Sequence, residues 1–483
     1  MSSAPPNPDP NRWKALALVC VAFFMVVLDV SIVNVALPSI QVDLEFSQDT
    51  LQWIITAYSL AFGGFLLLGG RAADLFGRRK VFMIGMALFT LGSLACGLSG
   101  SAAGLIIFRA LQGFGGAIVS PATLAIINAA FSADGAERNK AFGIWGAVAG
   151  SGAAAGVLLG GVLTEYLGWE WIFFVNVPIG AAIIALAPRL ISEGRVEGVE
   201  RKVDPLAAVL VTAGLVLFVY AMSEAPDAGW LSAQTILLTL AAVVLVALFL
   251  LKELRTDAPL VPLGLFKRRP IAVANAVGAL LGAALFSGFF VLTLYMQQVL
   301  GYSPVKTGFA FLATAGMAVV AAGVSQALVT RVGVKPVMTI GMSLLAASYL
   351  WYTRMPADGK YWLDLFPAYF ASGVGLAFVF IPLSLAALSG IEDRVAGIAS
   401  GLLNTSQQLG GALGVAVINS VSNERAQSLA GRARPGIEDI TGGYRWGFAV
   451  AALFALGSVV VAWFILRRDD VPAAAMHAPG PGA

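Results

Sequence analysis

Charge is what this chain of 483 residues has least of. Asp, Glu, Lys and Arg together make up 12% of it, about half the share of a soluble globular protein, while hydrophobic residues make up 58% and the mean hydropathy is +0.84. Only two cysteines occur, Cys20 and Cys96, both inside apolar stretches, which excludes a disulfide framework or a cysteine zinc site. The single histidine, His477, lies in the segment VPAAAMHAPGPGA, so histidine catalysis and a multi-histidine metal site are excluded as well. GxxxxGK[ST], HExxH and GxSxG are all missing. GFGGA (113–117) and GSGAAAG (150–156) fall within apolar runs and are not phosphate loops. No cofactor, metal or nucleic-acid partner is expected, and any transport must run on an ion gradient or downhill.

What the chain does have is long apolar runs. They fall at about 15–38, 50–70, 81–99, 103–130, 141–164, 170–190, 204–222, 234–251, 271–298, 306–330, 334–353, 362–389, 395–420 and 444–466. Each is long enough for a helix across a hydrocarbon core of about 30 Å, which predicts an all-α polytopic membrane protein with fourteen spans. An even number puts both termini on one side. If that side is the cytoplasm, inside segments hold 22 Lys and Arg and outside loops hold 7, so the positive-inside bias predicts cytoplasmic termini. Residues 1–13 are polar and Pro-rich, without the basic and apolar regions of a removable signal, so the first span is expected to stay as an anchor.

Spans 1–6 and 9–14 occupy similar lengths, and GRAADLFGRRK (70–80) aligns with QALVTRVGVKP (326–336) when Gly77 is set against Gly333. Two six-helix repeats are expected, with spans 7 and 8 inserted between them. The expected division is a tail at 1–13, a first bundle at 14–190, a linker with the inserted pair at 191–269, a second bundle at 270–468 and a tail at 469–483.

Asp29 is the only charged side chain between Ala15 and Pro38. At about 1.5 Å per residue it lies roughly two-thirds of the way through the membrane, where a charge costs on the order of 2.5–3.5 kcal/mol. It must therefore face a bundle interior or a watery cavity. Arg109 enters from the other side, about 9 Å below the outer face, at the same depth. A carboxylate beside a guanidinium stays ionised, and one that loses that partner in a dry pocket takes a proton. Asp29 and Arg109 are thus candidates for proton coupling, or else a static ion pair between spans 1 and 4.

Gly152, Gly156 and Gly160 recur every four residues in span 5, a pattern for close helix packing that is also compatible with a sliding gate. Asp74, Gly77 and Arg78 sit in a short inside turn, with the glycine permitting a tight bend and the charges able to pair or merely mark topology. In span 13, Ser400, Asn404, Gln407, Gln408 and Gly411 form a polar and small face. Span 9 adds Asn275, Phe286, Phe289, Phe290, Tyr295, Gln297 and Gln298. Such a lining suits a bulky, mostly apolar ligand, or serves interhelical hydrogen bonding.

Four ordered motifs carry a resemblance: LDVSIVNVALPSI (28–40), GRAADLFGRRKVF (70–82), RALQGFGGA (109–117) and WGAVAGSGAAAGVLLGG (145–161) with WIFFVNVPIG (171–180). Together they resemble the major facilitator superfamily, and within it the fourteen-helix drug:proton antiporters. The resemblance implies that Asp29 is the proton-site acid, that Arg109 is the basic residue tied to proton transfer, and that Asp74 with Arg78 forms a cytoplasmic gate. It implies the helix 5 antiporter motif at Gly152, Gly156 and Gly160, and an alternating-access monomer with a cavity near the midplane. The expected partners are a hydrophobic small molecule, protons and membrane lipids, with Asn34, Phe290, Tyr295, Asn404, Gln407 and Gln408 contacting substrate. Richness in Ala and Gly, with 21 Arg against 9 Lys, suggests a GC-rich bacterial genome and a place in the cytoplasmic membrane. A lipid translocase of the same fold is the alternative, with an intramembrane enzyme or sensor behind it.

Overall fold

The computed structural model describes residues 10–131, 135–193, 205–256, 259–261, 263–387, 389, 393–431 and 434–467. Among the described residues the chain is helical with no strand, and its helices fall where the apolar runs predict them. That follows from the solvent, because a backbone in hydrocarbon must satisfy its hydrogen bonds within its own segment. In chain order the helices are α1 (Arg12–Asp43), the short α2 (Gln48–Leu51), α3 (Trp53–Phe76), α4 (Arg78–Gly97), α5 (Ala102–Ala130), α6 (Gly135–Tyr166), α7 (Trp171–Phe174) and α8 (Asn176–Leu190). The inserted pair is α9 (Pro205–Ala228) and α10 (Ala233–Arg255). There follow α11 (Arg269–Leu294), α12 (Pro304–Val332), α13 (Val334–Tyr352), α14 (Phe366–Ala387), α15 (Asp393–Ala430) and α16 (Ile437–Val460). Eleven spans, by length and apolarity alone, are able to cross a membrane among the described residues.

Among the boundaries that depart from the apolar runs, three have a local physical reason. The first run ends at Pro38, yet α1 continues through it to Asp43; proline removes one N–H but leaves the rest of the helix bonded. In the sixth run the hydrogen-bond ladder is interrupted between α7 and α8 at Val175, whose backbone stays helical at φ −57° and ψ −30°, because Pro178 has no N–H to offer the carbonyl of Phe174 four residues back. The thirteenth run continues ten residues past its apolar end to Ala430, as the polar stretch VSNERAQSLA keeps good helix formers.

The chain divides into two compact units: residues 1–46, 53–214 and 245–261, and residues 47–52, 215–244 and 262–483. In the first unit α1 pairs with α6, α3 with α5, and α4 with both α5 and α8. In the second the same pattern recurs, α11 with α15, α12 with α14, and α13 with both α14 and α16. The two repeats inferred from loop similarity are thus visible as one helix-pairing scheme used twice. Gly77 at the α3–α4 turn has φ 104° and Gly333 at the α12–α13 turn has φ 86°, so both repeats turn at a residue in a region that only glycine enters freely. The seams also correspond. On α6, a Cβ at Gly156 would meet the Leu28 carbonyl at 2.7 Å and the Ser31 hydroxyl, and one at Gly160 would meet the Ile32 carbonyl at 2.7 Å. On α15, Gly410 and Gly414 stand against the backbone of Ala279 and Ala283 on α11.

A buried polar cluster around Asp29

Five elements of the first unit converge on Asp29, which has no exposed surface. α5 supplies Arg109, 1% exposed, whose Nη1 donates to Asp29 Oδ2 at 2.6 Å. The same Nη1 donates to Gln112 Oε1 at 2.6 Å, and Nε donates to the Ile54 carbonyl of α3 at 3.1 Å. Tyr58 of α3 lays its ring beneath the guanidinium, 4.3 Å from Cζ, and Phe173 of α7 approaches to 5.7 Å. Gln112, one turn along α5 from Arg109, donates its Nε2 to Asp29 Oδ1 at 2.7 Å. It therefore braces both members of the pair. Asn176, the first residue of α8, donates its Nδ2 to Asp29 Oδ1 at 3.1 Å and to Ser93 Oγ of α4 at 3.0 Å. Ser93 in turn donates to the Phe173 carbonyl at 2.9 Å. Cys96 of α4 completes the ring, its thiol 3.8 Å from Gln112 Oε1.

A buried pair is tolerable only when its remaining lone pairs and protons are satisfied, since desolvation costs several kcal/mol per ion. Here both carboxylate oxygens are occupied. Two atoms in the cluster are left over, Asn176 Oδ1 and the Tyr58 hydroxyl, buried and without a hydrogen-bond partner among the described residues.

The sequence profile of the Major Facilitator Superfamily matches residues 19–415. The chain belongs to that superfamily of membrane transporters. Among the relatives of this superfamily member is the puromycin resistance protein pur8 of Streptomyces alboniger, 40% identical over 473 residues, covering 96% of this chain and 93% of that protein. The tetracenomycin C resistance and export protein of Streptomyces glaucescens is 36% identical, with 86% and 76% covered. The cephamycin export protein CmcT of Amycolatopsis lactamdurans is 39% identical, with 84% of each chain covered. An auto-inhibited POT family peptide transporter shares the fold, with a TM-score of 0.68 at 14% identity, covering 94% of this chain and 98% of that one.

The other residues singled out in the sequence are distributed over both units. Asn34 lies on α1, 7% exposed, its Nδ2 donating to the Val30 carbonyl at 2.9 Å while its Oδ1 has no partner among the described residues. Gly77 caps the start of α4 and Arg78 is that helix's first residue; the side chain of Asp74 lies outside the described residues. Gly152, Gly156 and Gly160 all face α1. In the second unit Phe290 and Tyr295 are each 1% exposed, and the Tyr295 hydroxyl donates to the Pro356 carbonyl at 2.6 Å, so both belong to that unit's core. Asn404, Gln407 and Gln408 on α15 are half-buried. Asn404 Nδ2 reaches the Ser400 carbonyl at 3.4 Å, and Gln408 Oε1 is unpartnered among the described residues. Asn275 joins α11 to α15 by accepting from Ser406 Oγ at 2.8 Å.

Sequence reasoning missed Gln112, Asn176, Ser93 and Tyr58 in the cluster. Gln112 carried a usable signal, since a residue three positions after Arg109 shares its helix face. Arg79 was also missed: it donates to Glu193 Oε2 at 3.2 Å and to the Pro188 and Ile191 carbonyls at 3.3 Å, tying the start of α4 to the end of α8.

Proposed function

We propose that this protein exports hydrophobic or amphipathic small molecules in exchange for protons, by alternating access. The observation that carries the reading is the Asp29–Arg109 pair, fully buried at 2.6 Å in a member of a transporter superfamily whose relatives bear resistance and export names. A carboxylate held by a guanidinium in a dry site changes its protonation when that contact is lost, so a conformational change that separates the two couples proton movement to substrate movement. In this reading Asp29 carries the proton and Arg109 sets when it leaves. Asp74, Gly77 and Arg78 form the gate, while Gly152, Gly156 and Gly160 let α6 slide against α1. Asn34, Asn404, Gln407 and Gln408 contact substrate, and Phe290 and Tyr295 shape the wall behind them. The functional unit is a monomer in the cytoplasmic membrane of a bacterium, with both termini inside, and the bundles run over 14–190 and 270–468 with 191–269 inserted.

The test is efflux of a fluorescent lipophilic dye from cells lacking their own exporters. Wild-type efflux should stop on adding a protonophore, and Asp29→Asn should abolish it at normal membrane levels. Unimpaired efflux by Asp29→Asn would overturn the assignment. Translocation of a lipid is the second reading. It draws on an apolar groove of about 620 Å³ between α1 and α8, lined by Leu18, Val21, Ile179, Ile183 and Leu190 with Lys14 at one end; dye retention with lipid movement would favour it.

A further inference from the structure

We infer that Asn176 reads the protonation state of Asp29 by turning its carboxamide, and passes that state to the α7–α8 break through Ser93. The inference rests on the proton-site reading of Asp29. With Asp29 ionised, both hydrogens of Asn176 Nδ2 are used, one on Asp29 Oδ1 at 3.1 Å and one on Ser93 Oγ at 3.0 Å. Its Oδ1 has no partner among the described residues, although Asn176 has no exposed surface. An unmet buried acceptor is costly, and here it stands one amide turn away from the proton-carrying atom.

When a solvated proton binds Asp29 Oδ1, an O–H bond forms and the carboxylate becomes a neutral acid that must donate. Around Asp29, Gln112 Oε1 already accepts from Arg109 at 2.6 Å. A half-turn of the Asn176 carboxamide exchanges its oxygen and nitrogen, giving up the two bonds that Nδ2 donates to Asp29 and Ser93 for two that Oδ1 accepts from them, with the N–H groups moved to where the oxygen stood. The oxygen then accepts from the Asp29 acid and also faces Ser93 Oγ. Ser93 is drawn to turn its hydroxyl toward that oxygen and away from the Phe173 carbonyl, to which it now donates at 2.9 Å. Phe173 lies in α7, three residues before Asn176 opens α8, so the released carbonyl is at the break in that span. The titratable groups facing Asp29 are Arg109 from α5, Tyr58 from α3 and Cys96 from α4; no titratable group of α6, α7 or α8 among the described residues acts on it. Asn176 is a positioning residue, since it orients the proton that stays on Asp29 and passes on only a change of hydrogen bonds.

The experiment is the infrared difference spectrum between high and low pH of the reconstituted full-length protein, with asparagine labelled by ¹³C at the side-chain carbonyl. The expected result is a carboxylic-acid band that disappears in Asp29→Asn, together with an isotope-sensitive amide band that disappears in both Asp29→Asn and Asn176→Ser. Asn176→Ser should keep the acid band, because a hydroxyl both donates and accepts. An acid band belonging to Asp29 with no isotope-sensitive amide band in the wild type would overturn the inference and leave the proton site standing. The absence of any Asp29 acid band, in a protein whose efflux ignores Asp29→Asn, would instead remove the proton-site reading and this inference with it.

Discussion

Replacing Arg109 with Met keeps most of the buried volume and removes one charge from the pair. Asp29 would retain Gln112 Nε2 at 2.7 Å and Asn176 Nδ2 at 3.1 Å, but the Ile54 carbonyl and Gln112 Oε1 would each lose a donor. Breaking a buried pair from one side costs about 3–5 kcal/mol. The mirror change, Asp29→Asn, is less disruptive. Arg109 keeps Gln112, the Ile54 carbonyl and the Tyr58 face at 4.3 Å, the last worth about 0.5–2 kcal/mol, and the new amide oxygen still accepts. Its cost should be about 1–2 kcal/mol. Combining the two leaves no buried charge, and replacing both members of such a pair is close to neutral. D29N/R109M should therefore be more stable than Arg109→Met alone, with a coupling energy of about 3 kcal/mol or more. The assay is thermal unfolding of the purified proteins in one detergent. Its expected order of midpoints is wild type, Asp29→Asn, the double variant close by, and Arg109→Met lowest. Strictly additive losses in the double variant would refute the reasoning, because they would mean that the two side chains do not sense one another.

Gly156→Ala should lower the unfolding midpoint by an amount equivalent to about 1–3 kcal/mol, since its Cβ would meet a backbone carbonyl at 2.7 Å, whereas Gly152→Ala, whose nearest neighbours stand at 3.2–3.3 Å, should be close to neutral. Equal midpoints for the two would show that α1 and α6 are free to part at this seam. Gly77→Ala and Gly333→Ala should each cost about 1–2 kcal/mol in the same assay, because the φ values of 104° and 86° place an L side chain in the left-handed region. At Gly333 nothing lies within 4 Å of the added methyl, so any loss there belongs to the backbone alone.

The spans were legible because the membrane forces one solution on every apolar run, and Asp29 and Arg109 were legible because a charge in such a run stands out and their depths could be compared. The rest of the cluster was not. Asn176 and Ser93 are uncharged, and residues like them are scattered through every span of this chain. Only the adjacency of α1, α4 and α8 brings Asn176 onto Asp29 and Ser93 onto Asn176. The break at Val175, which sets Asn176 at the head of its own helix, depends on Pro178 acting four residues back. In the second unit the sequence could not tell a lining aromatic from a core one, because Tyr295 meets its partner carbonyl 61 positions away, at Pro356. The extension of α15 to Ala430 was missed for a different reason, as apolarity marks where a helix is in lipid and not where it stops.

The two compact units are interleaved along the chain, and that has a consequence for synthesis. Residues 245–261 belong to the first unit although residues 215–244, made earlier, belong to the second. A ribosome working from the N-terminus cannot release a finished first unit when α8 emerges; it must translate through the whole inserted pair. The half-proteins obtained by cutting the chain between α8 and α9 would divide the molecule in the wrong place, leaving the first without residues 205–214 and 245–261 and the second with both.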